Sequence, residues 1–158
     1  WRSDALGVLW LLCAYLCEYD GYTRRFVGTV VVNDTMKTCV ECVQFAPFSS
    51  WLAVGRNDGT FSIYDTVSTT PRSIYRNPSP QVAIVRALWC IEGNTPFVCV
   101  GSVDGFVRIF DARDGSLHKE LGNGGDDVLD MAILGSNPLR IISAGGGGVI
   151  RIFDLSCT

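Results

Sequence analysis

Three short segments alternate apolar and polar positions with a period of two: NDGTFSIYD (Asn57 to Asp65), VDGFVRIFD (Val103 to Asp111) and GGGVIRIFD (Gly146 to Asp154). Their closing aspartates stand 46 and 43 residues apart. Such alternation puts successive side chains on opposite faces of an extended chain, so each segment predicts a β-strand. Each is preceded, across a glycine-bearing turn, by an apolar run: Trp51 to Val54, Pro96 to Val100 and Leu139 to Ala144. Strand, turn and strand make a hairpin. Upstream of the hairpins lie Val40 to Phe45, Val82 to Cys90 and Val128 to Ile133, and Leu117 to Leu121 follows an Asp114-Gly115 turn. The repeating unit read from this pattern is a four-stranded antiparallel sheet, present about three times.

Within the hairpins, Phe61 and Ile63, Val107 and Ile109, and Ile150 and Ile152 fall on one face, while Tyr64, Phe110 and Phe153 fall on the other. A sheet with one wet side needs no aromatic there, but a sheet sandwiched between neighbours does. Tyr64, Phe110 and Phe153 are therefore expected to pack between sheets. Four strands repeating every 40 to 45 residues or so is the period of WD-type β-propellers, so the expected fold class is all-β, a WD40 β-propeller fragment. The repeats are placed at about 29–80, 81–122 and 123–158. Residues 1–28 are read as the remnant of a preceding blade or an unrelated N-terminal segment. The first reading draws on the likeness between Asp20 to Gly28 and Asp114 to Gly122, whose Asp-Gly pairs are 94 residues apart, with Cys13 to Cys17 as a candidate strand.

Composition agrees with a packed β-protein: 47% of the 158 residues are hydrophobic, 18% are charged, and 17 are glycine. The net charge of −3 is unevenly placed, because residues 1–80 hold seven cations and seven anions and residues 81–158 hold six and nine. That distribution lacks the cationic face needed to displace counterions from phosphates, so no direct nucleic-acid partner is expected. Seven cysteines with no repeated spacing do not form a disulfide framework, and Cys39-x-x-Cys42 has no second pair to complete a zinc site. Ala5 to Cys17 is apolar over thirteen residues, short of the roughly 20 that span a bilayer, and lacks a small-x-small cleavage site. No membrane partner is expected. Because the chain starts at Trp1, it is read as a piece of a longer product.

Asp58-Gly59 and Asp104-Gly105 are read as structural turns, since Asp-Gly is selected for hairpin geometry. WD repeats commonly tie that aspartate to a His, a Ser or Thr and a Trp. Here the His is absent and Tyr64, Phe110 and Phe153 replace the Trp. Gly145 to Gly148 opens no helix and is no phosphate cradle, and Gly147 stands where the turn aspartate would be, so the third unit is expected to be looser. His118, the one histidine, has no nucleophile at a recognisable spacing, so no catalytic residue, metal ligand or cofactor is expected. Candidate partner-binding residues flank the turns and the first strands: Arg56, Asn57, Arg86, Asp126, Asp127 and Asp130. The aspartates are either a solvated loop or an acidic contact for a basic segment.

VECVQFAPFSSWLAVGRNDGTFSIYD (Val40 to Asp65) and VRALWCIEGNTPFVCVGSVDGFVRIFDARDGSLHKELGNGGDDVLDMAI (Val85 to Ile133) resemble the C-terminal blades of the angio-associated migratory cell protein family, which includes fungal relatives. Leu52-Ala53-Val54-Gly55 before Asp58-Gly59, and Asp104-Gly105 leading to Asp111-Ala112-Arg113-Asp114-Gly115, carry the likeness, which covers roughly 21–158. The resemblance implies a cytoplasmic propeller of seven or eight blades that acts as a non-enzymatic protein-binding scaffold. Its fungal members are chaperones of a basic large-subunit ribosomal protein, which implies a role in ribosome biogenesis. Its animal member is tied to signalling and cell migration, which is the alternative. The chain departs from the family in holding only about three blades.

Overall fold

The computed structural model describes strands within residues 7–10, 15–20 and 25–31 and, from 38 to 155, all residues except 69, 77, 79, 80, 123, 124, 136 and 137. Two compact units emerge, Trp1–Val40 and Glu41–Thr158. The first holds β1 (Gly7–Trp10), β2 (Tyr15–Asp20) and β3 (Arg25–Val31), paired antiparallel in that order. Of the candidate strand at Cys13 to Cys17, residues 15–17 fall in β2; Cys13 and the Gly21 turn lie outside the described residues.

The second unit contains three antiparallel meanders. The first sheet is β4 (Val40–Phe45), β5 (Trp51–Arg56), β6 (Thr60–Asp65) and β7 (Thr70–Arg76). The next is β8 (Ile84–Glu92), β9 (Thr95–Ser102), β10 (Phe106–Asp111) and β11 (Leu117–Gly122). The last comprises β12 (Val128–Leu134), β13 (Arg140–Gly145) and β14 (Ile150–Asp154), three strands among the described residues where the repeat pattern gives four. β7 was not visible in the pattern, because Thr70 to Arg76 interleaves proline and arginine with few apolar residues.

Two cores join these sheets. In the first, Phe61 and Ile63 of β6 meet Ala87, Trp89, Val98, Val100 and Phe110 of the following sheet. Phe61 lies between Tyr75 and Phe110, with ring centroids 4.6 and 5.0 Å away. The Trp89 indole donates to the Gln44 carbonyl across the seam at 2.8 Å, so its polar atom is satisfied as its rings are buried. In the second core, Val107 and Ile109 of β10 meet Val128, Met131, Leu139 and Ile141, with Phe153 packed against them. Both seams use one rule: the branched face of a blade's third strand receives the aromatic of the next. Tyr64 is also buried.

Glycine lets the seams close. A Cβ on Gly55 would sit 2.7 Å from Ile84 Cγ2, and one on Gly101 would sit 2.7 Å from Val128 Cγ1. These residues hold matching places in β5 and β9, and each receives the opening residue of the next sheet's first strand. A matching bulge follows that residue, between Ile84 and Arg86 in β8 and between Val128 and Asp130 in β12. Bulges re-aim the side chains beside them.

Candidate functional site

The β5–β6, β9–β10 and β13–β14 turns share one edge with the starts of β8 and β12. Backbone bonds tie them together, from Val103 N to the Ala83 carbonyl and from Gly146 N to the Asp127 carbonyl, both at 3.1 Å. The three turns have one shape. Gly59, Gly105 and Gly148 have φ of 82°, 83° and 81°, a left-handed conformation that a Cβ disfavours. Their amides donate back to the Arg56, Ser102 and Gly145 carbonyls.

In the first two turns the aspartate holds its own loop. Asp58 Oδ1 accepts from the Thr60 amide at 3.0 Å and the Thr60 hydroxyl at 2.6 Å, and Asp104 Oδ1 accepts from the Phe106 amide at 3.2 Å. The third turn has Gly147 at this position, and Asp126 reaches in from the loop before β12. Its Oδ1 accepts from the Gly147 amide at 2.6 Å, and its Oδ2 lies 3.6 Å from Arg151 Nη1. The absence of a side chain at Gly145 makes room, since a Cβ there would collide with the Asp126 carboxylate. Asp126, a candidate for partner contact, thus also holds a turn from within.

Each blade places one guanidinium beside its turn, supplied from different strands. In the first sheet Arg56 is buried and donates to the Ser62 hydroxyl at 2.8 Å and the Tyr64 hydroxyl at 3.1 Å. In the second, Ser102 stands at the Arg56 position and Arg108 at the Ser62 position; buried Arg108 donates to Glu120 at 2.6 Å and to both oxygens of Asp104. In the third, Gly145 and Arg151 hold the two places. A buried guanidinium needs this satisfaction, because an unpaired one carries a large desolvation penalty.

Four candidates reach solvent. Asn57 and Asp127 are exposed, while Arg86 Nε and Asp130 Oδ1 approach to 2.9 Å across the seam. This pair joins the equivalent post-bulge residues of adjacent sheets. The structure therefore groups Asn57, Arg86, Asp127 and Asp130 along the outer edge and draws Arg56 and Asp126 inside.

The opposite ends of the blades explain the recurring strand-end aspartates. Asp65 Oδ1 accepts from the Val67 amide at 2.9 Å and the Ser50 hydroxyl at 3.1 Å; Asp111 Oδ1 accepts from the Arg113 amide at 2.8 Å. The Val67 amide holds the Asp65 carboxyl below the usual carboxylate range, and the Arg113 side chain does the same to Asp111. His118 packs over Phe97 at 4.8 Å and lines a shallow cleft with Cys90, Glu92 and Lys119, a grouping that sequence spacing did not reveal. Among the described residues, no three His, Cys, Asp or Glu side chains gather as a metal site requires, and no helix is long and apolar enough to cross a membrane.

The family model described as WD domain, G-beta repeat, matches residues 28–65, a span from within β3 through β6. The chain is 35% identical over 121 residues, 77% of its length, to angio-associated migratory cell protein of Homo sapiens, and equally so to those of Pongo abelii and Canis lupus familiaris. It spans 26% of each relative's length. A chain in a crystal structure of the mitotic checkpoint complex superimposes with a TM-score of 0.79 at 21% identity, covering 94% of this chain and 43% of that one. The computationally designed Ika8 protein gives 0.70 at 17%, covering 98% and 44%. At these identities the shared property is the fold.

Proposed function

Starting from a chain that carries WD40 propeller blades and is related in sequence to angio-associated migratory cell protein, we propose that it captures a basic segment of a protein client along the turn edge holding Asn57, Arg86, Asp127 and Asp130. WD40 propellers are protein-interaction scaffolds, and that is the class of this chain. The client proposed is a large-subunit ribosomal protein, chaperoned in the cytoplasm during ribosome assembly without any chemical turnover by the chain itself. The observation that carries the reading is the exposed Asp127 beside the solvent-facing Arg86–Asp130 pair: a cationic client residue gains Asp127 and competes with Arg86 for Asp130. The acidic balance of residues 81–158 draws such a segment in, with a force that salt screens.

A second reading is a scaffold for signalling or migration partners, favoured by the relatives' name. Affinity purification of the complete protein separates the two. A stoichiometric basic ribosomal protein that elutes as salt rises supports the first; receptor or cytoskeletal proteins without a ribosomal one support the second. Measurable turnover abolished by replacing His118 would overturn the non-enzymatic part of both.

A further inference from the structure

Cys90 of β8 and Cys99 of β9 lie on the same sheet face, because the register sets Cys90 opposite Phe97 and Leu88 opposite Cys99. The two thiols are therefore diagonal neighbours, and their sulfurs are 3.4 Å apart. A disulfide requires about 2.05 Å, so the sulfurs face one another across a gap that must shorten by more than about 1 Å for the bond to form. Their access differs only slightly: Cys90 is 5% exposed and lines the cleft with Glu92, His118 and Lys119, while Cys99 is fully buried behind it.

We propose that Cys90 and Cys99 form a reversible intrablade disulfide on exposure to a hydroperoxide, with Cys90 as the thiol that attacks the peroxide at the cleft and Cys99 as the resolving thiol behind it. The Cys90 thiolate attacks the terminal peroxide oxygen, forming an S–O bond as the O–O bond breaks. The departing hydroxide or alkoxide takes a proton and leaves as water or alcohol. Cys99, its proton released, then attacks the Cys90 sulfur. The S–S bond forms as the S–O bond breaks, and the leaving hydroxide takes up a proton as water. Two thiols are oxidised by two electrons and one hydroperoxide is reduced by two.

The local electrostatics fit these roles. A Cys90 thiolate accepts the Cys99 S–H, which holds Cys90 below an ordinary thiol, and the same bond together with burial pushes Cys99 up. Cys42, about as buried as Cys90, is the internal contrast in its partner, a carbonyl in place of a second thiol. Buried in the other seam with its Sγ 3.9 Å from the Ile84 carbonyl, it is pushed up to about 12 by burial.

The test is a peptide map of the folded, reduced chain after treatment with hydrogen peroxide at a level that oxidises free glutathione. The treated chain is then alkylated in denaturant and digested with trypsin. Cys90 and Cys99 share the tryptic peptide Ala87–Arg108. The expected product is that peptide lighter by two hydrogens, refractory to alkylation, and restored to two alkyl groups by a thiol reductant, while Cys42 remains alkylatable. In Cys99→Ser, Cys90 should be trapped by dimedone as the sulfenic acid; in Cys90→Ser, Cys99 should react no faster than Cys42. A doubly alkylated peptide overturns the proposal. So does Cys90 oxidised to the sulfinic acid beside an alkylatable Cys99, or a bond from Cys90 to a cysteine outside the peptide. The wild-type map decides the matter if a variant fails to fold.

Discussion

β10 and β14 carry almost the same sequence, Phe-Val-Arg-Ile-Phe-Asp and Val-Ile-Arg-Ile-Phe-Asp with its first valine just ahead of the strand, yet live in opposite surroundings. Val107 and Ile109 are 0% and 2% exposed; their counterparts Ile150 and Ile152 are 71% and 62% exposed. The aromatic side of the two strands differs less, because Phe110 and Phe153 each pack against the preceding sheet. The local pattern thus specifies a strand able to be covered on both faces. A following sheet, when present, buries the branched face. Position 144 agrees: Gly55 and Gly101 are flush where another strand presses on them, while the matching Ala144 carries a side chain on a face with no third seam among the described residues.

Truncation should have the largest effect. Ile109→Ala should destabilise the chain by about 2–4 kcal/mol in denaturant unfolding, whereas Ile152→Ala should fall within about 0.5 kcal/mol of wild type. Equal effects would mean that the second seam contributes nothing to stability. Overpacking comes next. Gly101→Val forces carbon atoms into Val128 and Met131 and should lower stability by about 1–3 kcal/mol, while Ala144→Val should be close to neutral by the same measurement.

A smaller contrast lies in the turns. Asp126→Ala leaves the Gly147 amide without its acceptor and Arg151 without its partner, an expected loss of about 1–2 kcal/mol, against little change for exposed Asp127→Ala. The smallest effect is acidic. The folded pKa values of Asp65 and Asp111 are depressed, so their contribution is complete above the ordinary carboxylate range and is lost as pH falls below it. Asp65→Asn should lower stability slightly at neutral pH and leave it nearly unchanged at low pH, where Asp65 is already protonated, so that the acid limb of a stability-versus-pH curve flattens.

The blades were legible from the chain because period-two alternation and Asp-Gly turns are local signals, as in Phe61 to Asp65 and Phe106 to Asp111. β7 was not, since Thr70 to Arg76 mixes proline and arginine among its apolar residues without a clean alternation, although Tyr75 reaches the first core. The turn edge was half legible. Nearness to the turns picked out Asn57, Arg86, Asp127 and Asp130, but could not separate them from Arg56 and Asp126, whose roles depend on strands brought together by folding. One signal for Asp126 was present in the missing carboxylate at Gly147, which leaves a turn amide in need of an acceptor. Nothing in the spacing of Cys90 and Cys99 announced their juxtaposition, which comes from the β8–β9 register alone.

The measurement closest to the central claim is quantitative affinity purification of the complete protein beside its Asp127→Lys/Asp130→Lys variant, at two salt concentrations and with matched melting curves. The variant should melt like wild type but recover the basic client at least about tenfold less well, with a weaker dependence on salt, as the loss of attractive surface charges requires. Equal recovery and an unchanged salt dependence would contradict it and remove this edge from the binding surface.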